Sequence, residues 1–218
     1  MKTFVQIGTH NGNDEFNNLV KKENPDLVIL VEPNSSLNEQ IIQNYSYLSE
    51  QIDKDIKCVI ENIAITDESG PCKLVIPKNE VVFSNGHRHR FTDVNFSLLP
   101  MDDWGEEFST LEVEGITFNQ LCEKYSIKEI EYLQIDTEGF DSQIILSIDF
   151  NKFKIKKLKY EIWGFDPSQS YTRYGKDGKK YGFVGMEKVE KKLTSLGYNL
   201  ISVPTQSPTD IEATLINV

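Results

Sequence analysis

Long apolar runs are missing from this 218-residue chain, and none approaches the roughly 18–20 residues that a membrane-spanning helix needs. Cysteine is scarce and odd in number. Cys58, Cys72 and Cys122 are widely spaced and form no CxxC pair. That argues against a zinc ribbon or a disulfide framework, and it suits structural thiols in a reducing compartment. Basic residues are short as well, 23 against 34 acidic ones, for a formal net charge of −11. Such a surface repels phosphate backbones, so nucleic acid is not expected as a partner. The chain holds no GxxxxGK[ST] element, which excludes a P-loop, and no GxGxxG turn of the kind a dinucleotide's pyrophosphate prefers. No signal peptide stands out, because Met1-Lys2 passes straight into Thr3-Phe4-Val5-Gln6-Ile7, which reads as a strand. A hydrophobic share of 39% is enough to bury a core. The expectation is one soluble, cytoplasmic domain over residues 1–218, with no membrane partner.

What the chain does have is alternation. Asp26–Val31 is a continuous apolar run, the pattern of a strand buried on both faces of a parallel sheet. Between it and the first strand, Phe16, Leu19 and Val20 share one face of a short helix. A helix from about Ser35 to Leu48 follows, with Leu37, Ile41, Ile42 and Tyr45 at helical spacing. Cys58–Ile60 with Ile63–Ile65 reads as a third strand, and Cys72–Ile76 as a hairpin arm after the Glu68-Ser69-Gly70-Pro71 turn. Further helices are expected near Thr117–Tyr125, from Asp141 and over Met186–Leu196, with strands at Glu131–Ile135, Lys156–Trp163, Tyr198–Val203 and Glu212–Val218. The Lys154–Lys159 run reads as an exposed strand flank. Stretches near 78–110 and 164–184 lack periodicity and read as inserted loops on the acceptor side. The pattern predicts an α/β fold: a doubly wound, Rossmann-like, mostly parallel sheet with an antiparallel C-terminal edge pair.

In such sheets ligands sit at the carboxyl ends of the strands near the switch point. The first strand ends in Gly8-Thr9-His10-Asn11-Gly12, a turn whose glycines let backbone approach a ligand. A plain tight turn would look the same. The second strand ends in Glu32-Pro33-Asn34, and an acid there suits ribose hydroxyls; Glu32 follows Gly12 at the expected distance of about 20 residues. Together they point to a cofactor carrying adenosine. S-adenosyl-L-methionine has no phosphate and tolerates the bulkier Thr9-His10-Asn11.

Asp136, Glu138, Gly139 and Asp141 follow an apolar strand, where a carboxylate reaches the crevice, although Asp141 also suits a simple helix cap. Glu112-Val113-Glu114-Gly115 resembles this element but reads as a solvated strand end. Glu161 is a charge inside a run that otherwise looks buried, which calls for a partner or a task unless it faces solvent at an edge. The arginines Arg88, Arg90 and Arg173, with His87 and His89, lie in the two irregular stretches. They suit recognition of an acceptor's hydroxyls, carboxylates or phosphates, or are simply solvated.

Gln6-Ile7-Gly8-Thr9-His10-Asn11-Gly12-Asn13, Val31-Glu32-Pro33-Asn34, Asn62-Ile63-Ala64, Asn95-Phe96-Ser97-Leu98 and Leu133-Gln134-Ile135-Asp136-Thr137-Glu138-Gly139-Phe140-Asp141 occur in the order found in the FkbM family of S-adenosylmethionine-dependent methyltransferases, which the chain resembles over nearly its whole length. The resemblance implies a class I methyltransferase fold and O-methylation, often of sugar hydroxyls. It places the cofactor on Gln6, Gly8, Thr9, His10, Asn11, Gly12, Glu32 and Pro33, with Asn62 and Ala64 near the adenine. Where the family commonly has an acid this chain has Gln6, so either the grip on the methionine ammonium is weaker or Asp14 or Asp136 supplies the charge instead. Glu138 is the expected base, assisted by Asp136 and Glu161. Three acids so close also suit Mg²⁺ or Mn²⁺ on Asp136 and Glu161, an arrangement that resembles metal-dependent sugar O-methyltransferases of the macrocin type. A methyltransferase acting on a non-sugar small molecule and a non-catalytic cofactor-binding module are the alternatives.

Overall fold

Thr3–Ile7 (Thr-Phe-Val-Gln-Ile) form strand β1, and all five residues are buried, the polar Thr3 and Gln6 included. The computed structural model describes residues 1–51, 56–77, 81–82, 88–89, 97–98, 108–162, 173–174, 180–181, 183–203 and 210–216. Helix α1 (Glu15–Glu23) starts where Asp14 caps it, its Oδ1 accepting from the Phe16 and Asn17 amides. Strand β2 (Leu27–Val31) and helix α2 (Asn38–Gln51) follow, then β3 (Lys57–Glu61), β4 (Ala64–Thr66) and β5 (Gly70–Pro77). The short pair β6 (Val81–Val82) and β7 (Arg88–His89) precedes the long strand β8 (Phe108–Thr117). Helix α3 (Phe118–Lys124) opens with a Thr117–Gln120 capping box. Then come β9 (Glu129–Ile135), α4 (Asp141–Ser147), β10 (Lys154–Glu161), the short pair β11 (Arg173–Tyr174) and β12 (Lys180–Tyr181), α5 (Phe183–Ser195), β13 (Tyr198–Val203) and β14 (Asp210–Leu215).

The main sheet has seven strands in the order β13-β14-β10-β9-β1-β2-β3. β3, β2, β1, β9 and β10 run parallel, and β14 and β13 close the edge antiparallel, as the alternation predicts. Strand order reverses between β1 and β9, and that switch point opens a crevice at their carboxyl ends. Helices cover both faces. Phe4, Phe16, Val28, Leu30 and Ile41 pack on the α1–α2 side; Val5, Ile29, Phe118, Leu133, Ile144 and Leu193 pack on the other. No helix among the described residues is long and apolar enough to cross a membrane.

Three local expectations need correction. Residues 58–65 are not one strand: the chain breaks at Asn62, whose amide is drawn off to the Glu32 carbonyl and to Asn38, so β3 stays in the main sheet while β4 joins a second, three-stranded one. β5 is no hairpin arm to its neighbour; its antiparallel partner is β8, which starts at Phe108, inside the stretch expected to be a loop. Glu112 and Glu114 are exposed on β8 in mid-strand rather than at a strand end.

Lys159 overturns the exposed flank. Lys157 faces solvent, but Lys159 is 7% exposed, and its ammonium donates to Glu15 on α1 and, at 2.9 Å, to Asp210 on β14. It ends a polar row across adjacent strands, in which Gln6 lies beside Gln134 and Gln134 beside Lys159. On the α1 side, the helix's N-cap and first-turn acids meet this row: Gln6 donates to Asp14, and Gln134 donates to Glu15 at 3.3 Å. Burial pulls the pKa of Lys159 down, but the two carboxylates outweigh it and hold the value above the ordinary lysine value.

Candidate active site

A cleft of about 960 Å³, counting its open mouth, lies over the carboxyl ends of β1, β2 and β9. Gly8, Thr9, His10 and Asn11 form its floor. The turn is tied down by its own amides: the Gly8 and Thr9 N–H groups donate to the Val31 carbonyl (3.0 and 3.2 Å), and the His10 N–H donates to Glu32 Oε2 (2.8 Å). Those donors are spent within the protein, so the turn offers little to a pyrophosphate, as the missing GxGxxG implies. Thr9 Oγ1, by contrast, is buried without a hydrogen-bond partner on the cleft wall.

Glu32 is 4% exposed and holds the turn and the β2 end together, accepting also from the Asn34 amide at 2.9 Å. Burial raises its carboxyl to about 7, although both amide bonds pull the other way. Pro33 lines the cleft beside it. Ile63, Ala64, Ile65, Leu74 and Leu98 make an apolar wall opposite. Asn62 stands behind that wall, donating to the Glu32 carbonyl at 2.9 Å. Gly12 packs against the Tyr45 ring rather than on the wall, and Gln6 lies buried beneath the floor. Asp14 does reach the cleft; its carboxyl caps α1, accepts from Gln6 and is raised chiefly by burial.

The loop after β9 closes the other end. Asp136 and Glu138 both line the cleft. Asp136 is exposed to solvent through the cleft, with protein packed densely behind it. Its carboxyl is raised well above the usual range, first by burial and then by Glu138 and Asp141. Glu138 adopts φ 54°, a left-handed conformation rare for a side chain of its kind. Two neighbours hold this loop. Ser97 Oγ donates to the Glu138 carbonyl (2.9 Å), and residue 97 is itself pinned to Val75 by paired backbone bonds. Asp141 does not cap α4, whose N-cap is Phe140 without a side-chain bond. It accepts instead from the Thr137 amide and hydroxyl and from the Glu161 amide (3.1 Å), lashing the loop to the end of β10.

Glu161 lies off the main cleft, in a smaller one shared with Asp136, Gln134, Lys159 and Asp210. Burial and the neighbouring acids Asp136 and Glu138 push its carboxyl up to about 10. Among the described residues, no three carboxylate, imidazole or thiol groups gather as a metal's ligand set. Of the acceptor-side residues, Arg88 and His89 lie on β7 and Arg173 on β11; their side chains, and His87 and Arg90 entirely, fall outside the described residues. Sequence reading missed Lys159, Asp210 and the cleft-facing roles of Leu74, Ser97 and Leu98. Ser97 and Leu98 stand in the quoted Asn95–Leu98 motif, so that signal was present; Asp210 has none.

A family model described as a methyltransferase FkbM domain matches residues 6–200. A solved structure described as methyltransferase FkbM from Methylobacillus flagellatus KT is similar in fold, with a TM-score of 0.54 at 11% sequence identity. That match covers 97% of this chain and 43% of the other, so this chain spans less than half the length of that one. None of the curated proteins matches the chain.

Proposed function

The chain belongs to the FkbM methyltransferase family, and on that premise we propose that it moves a methyl group from S-adenosyl-L-methionine to a hydroxyl of a sugar or glycan, with Glu138 as the base. The observation that carries this reading is one cleft with acids at both ends and an apolar wall between. Glu32 is placed for ribose hydroxyls, Ile63–Ile65 and Leu98 for an adenine face, and Thr9 Oγ1 for a polar group of the same ligand. Asp14 and Asp136 offer negative charge to the amino-acid end, where Gln6 has none.

The cofactor supplies the electrophilic methyl group; the protein supplies binding, alignment and a base. Glu138 accepts the hydroxyl proton. Asp136 and Glu161, both held towards the protonated form, keep the loop from accumulating charge and assist by hydrogen bonding. No step runs through a metal.

The test is incubation with S-adenosyl-L-methionine and a glycan panel, scored for a mass gain of about 14 Da, one CH₂ per transfer. A methylated glycan is the expected product. Cofactor binding with no product from glycans or other hydroxylated small molecules would favour a non-catalytic binding module instead.

Glu32 adds a pH dependence. Its folded-state value lies above the ordinary carboxyl value near 4.5, so ligand-free protein loses this group's contribution to stability as pH climbs from about 4.5 through about 7. Ribose hydroxyls donate best to the ionised form. Affinity for S-adenosylhomocysteine is therefore expected to rise about tenfold between about pH 6 and about pH 8, and Glu32→Gln to flatten that rise. Calorimetry at the two pH values checks it; a rise that survives in Glu32→Gln would assign it to another group.

A further inference from the structure

The smaller cleft, about 170 Å³ counting its mouth, sits between the ends of β9, β10 and β14 and is lined chiefly by acceptors. Gln134 is its deepest polar group. The residue is 2% exposed, its amide nitrogen is engaged by Glu15, and its Oε1 is buried with no hydrogen-bond partner. A buried acceptor left unmet costs free energy, so this oxygen marks a place where a donor belongs. Around it stand Asp136, Glu161 and Asp210. Glu161 and Asp210 are direct cross-strand partners, two acids whose joint ionisation a nearby cation favours. Lys159 lines the same cleft, and its ammonium is shared between Asp210 and Glu15. Among the described residues no cation pairs with Asp136.

We propose that this cleft seats a primary ammonium group carried by the acceptor, with Gln134 Oε1, Asp136 and Glu161 each taking one of its three N–H donors. The inference rests on the methyltransferase reading and narrows its acceptor to an amino sugar or a similar amine-bearing alcohol. An ammonium suits the site better than a metal ion. Its acceptors stand about 2.7–2.9 Å from nitrogen, whereas Mg²⁺ or Ca²⁺ draws ligands in to about 2.0–2.6 Å, a convergence these side chains do not show. It also suits the site better than a neutral hydroxyl, which brings one donor to an acid-rich lining. Because Asp136 lines both clefts, an amine anchored here leaves the rest of the acceptor beside Glu138.

The test is titration of glucosamine, N-acetylglucosamine and glucose into protein saturated with S-adenosylhomocysteine, and into ligand-free protein, followed by saturation-transfer NMR. Glucosamine is expected to bind at least about tenfold more tightly than the other two. Gln134→Met keeps volume and removes the acceptor together with the amide bond to Glu15; it should erase most of that preference while S-adenosylhomocysteine affinity stays as in the wild type and unfolding stays cooperative. Glu161→Gln keeps shape and removes the acid that a bound ammonium would ionise, and should weaken glucosamine binding without changing glucose binding. Equal binding of the three sugars, no saturable glucosamine binding at millimolar concentration, or an undiminished preference in both variants would overturn the proposal. An amine preference in protein that does not bind S-adenosylhomocysteine would sink the methyltransferase reading and leave the ammonium seat standing.

Discussion

Gly8→Ala is expected to lower the urea midpoint of unfolding far more than Gly197→Ala, though both glycines sit at nearly the same backbone angle. Gly8 has φ +81° and Gly197 φ +88°, so each alanine pays the left-handed penalty of about 1–2 kcal/mol. Their surroundings differ. A Cβ on Gly197 would meet nothing nearer than Leu215 Cδ1 at 3.9 Å. A Cβ on Gly8 would lie 1.7 Å from the Asp136 carbonyl oxygen, which is backbone and cannot rotate away. The ends of β1 and β9 would have to part, breaking the bond from the Asp136 amide to the Ile7 carbonyl (2.9 Å). Overpacking of this kind adds about 1–3 kcal/mol. The difference between the two variants isolates the contact from the backbone term, and denaturant curves with unchanged slope would measure it. Equal midpoints would mean that β1 and β9 can separate freely at the switch point, and the cleft floor would not be the rigid feature described above.

That close approach explains why the first strand end was legible from sequence. Gly8 is required by the fold whatever the cofactor, and the adjoining strand ends are mostly apolar because both faces of β1, β2 and β9 are covered there, with Gln6 and Gln134 the buried polar exceptions. Continuous runs such as Leu27–Val31 have few other readings. Glu32 and the Asp136–Asp141 loop were legible for a related reason: each follows such a run directly, so locating the strand end locates the carboxylate.

Groups whose meaning depends on distant sequence were not legible. Lys159 meets Glu15 across 144 positions, and nothing in Lys154–Lys159 distinguishes the buried Lys159 from the exposed Lys157, which lies two residues away on the same face of the strand. Placing β14 beside β10 turns Lys159 from a solvated flank into a buried ion-pair centre. Asp210 faces Glu161 only through that same antiparallel pairing. Asn62 is similar in kind. Its side chain breaks what looks like one strand because the Glu32 carbonyl, thirty residues earlier, competes for it. Local pattern records periodicity and turns; it does not record which strand edges meet.

Glu138→Gln is expected to cut turnover by about 10²–10⁴-fold while leaving S-adenosylhomocysteine affinity at the wild-type level. An alcohol is a poor nucleophile until its proton has an acceptor, and glutamine preserves the side chain's shape while removing its basicity. The backbone beneath Glu138 singles it out from the other acids. Its φ of 54° costs about 1–2 kcal/mol for a residue with a side chain, and Gly139 follows at φ 101°, so the chain turns back on itself at the cleft wall. A helix start or an ordinary turn would have put glycine or asparagine at that position. Here the conformation is held by Ser97 on the Glu138 carbonyl and by Asp141 on Thr137 and Glu161, groups from three separate segments converging on one loop. Strain maintained from outside in this way is characteristic of sites where orientation matters more than stability. Single-turnover kinetics on the accepted glycan, with calorimetry on the same preparation, separates the two quantities. Near-normal turnover in Glu138→Gln would move the base elsewhere, with Asp136 examined next because it shares the cleft. A parallel loss of cofactor affinity would instead make Glu138 part of the cofactor's seat.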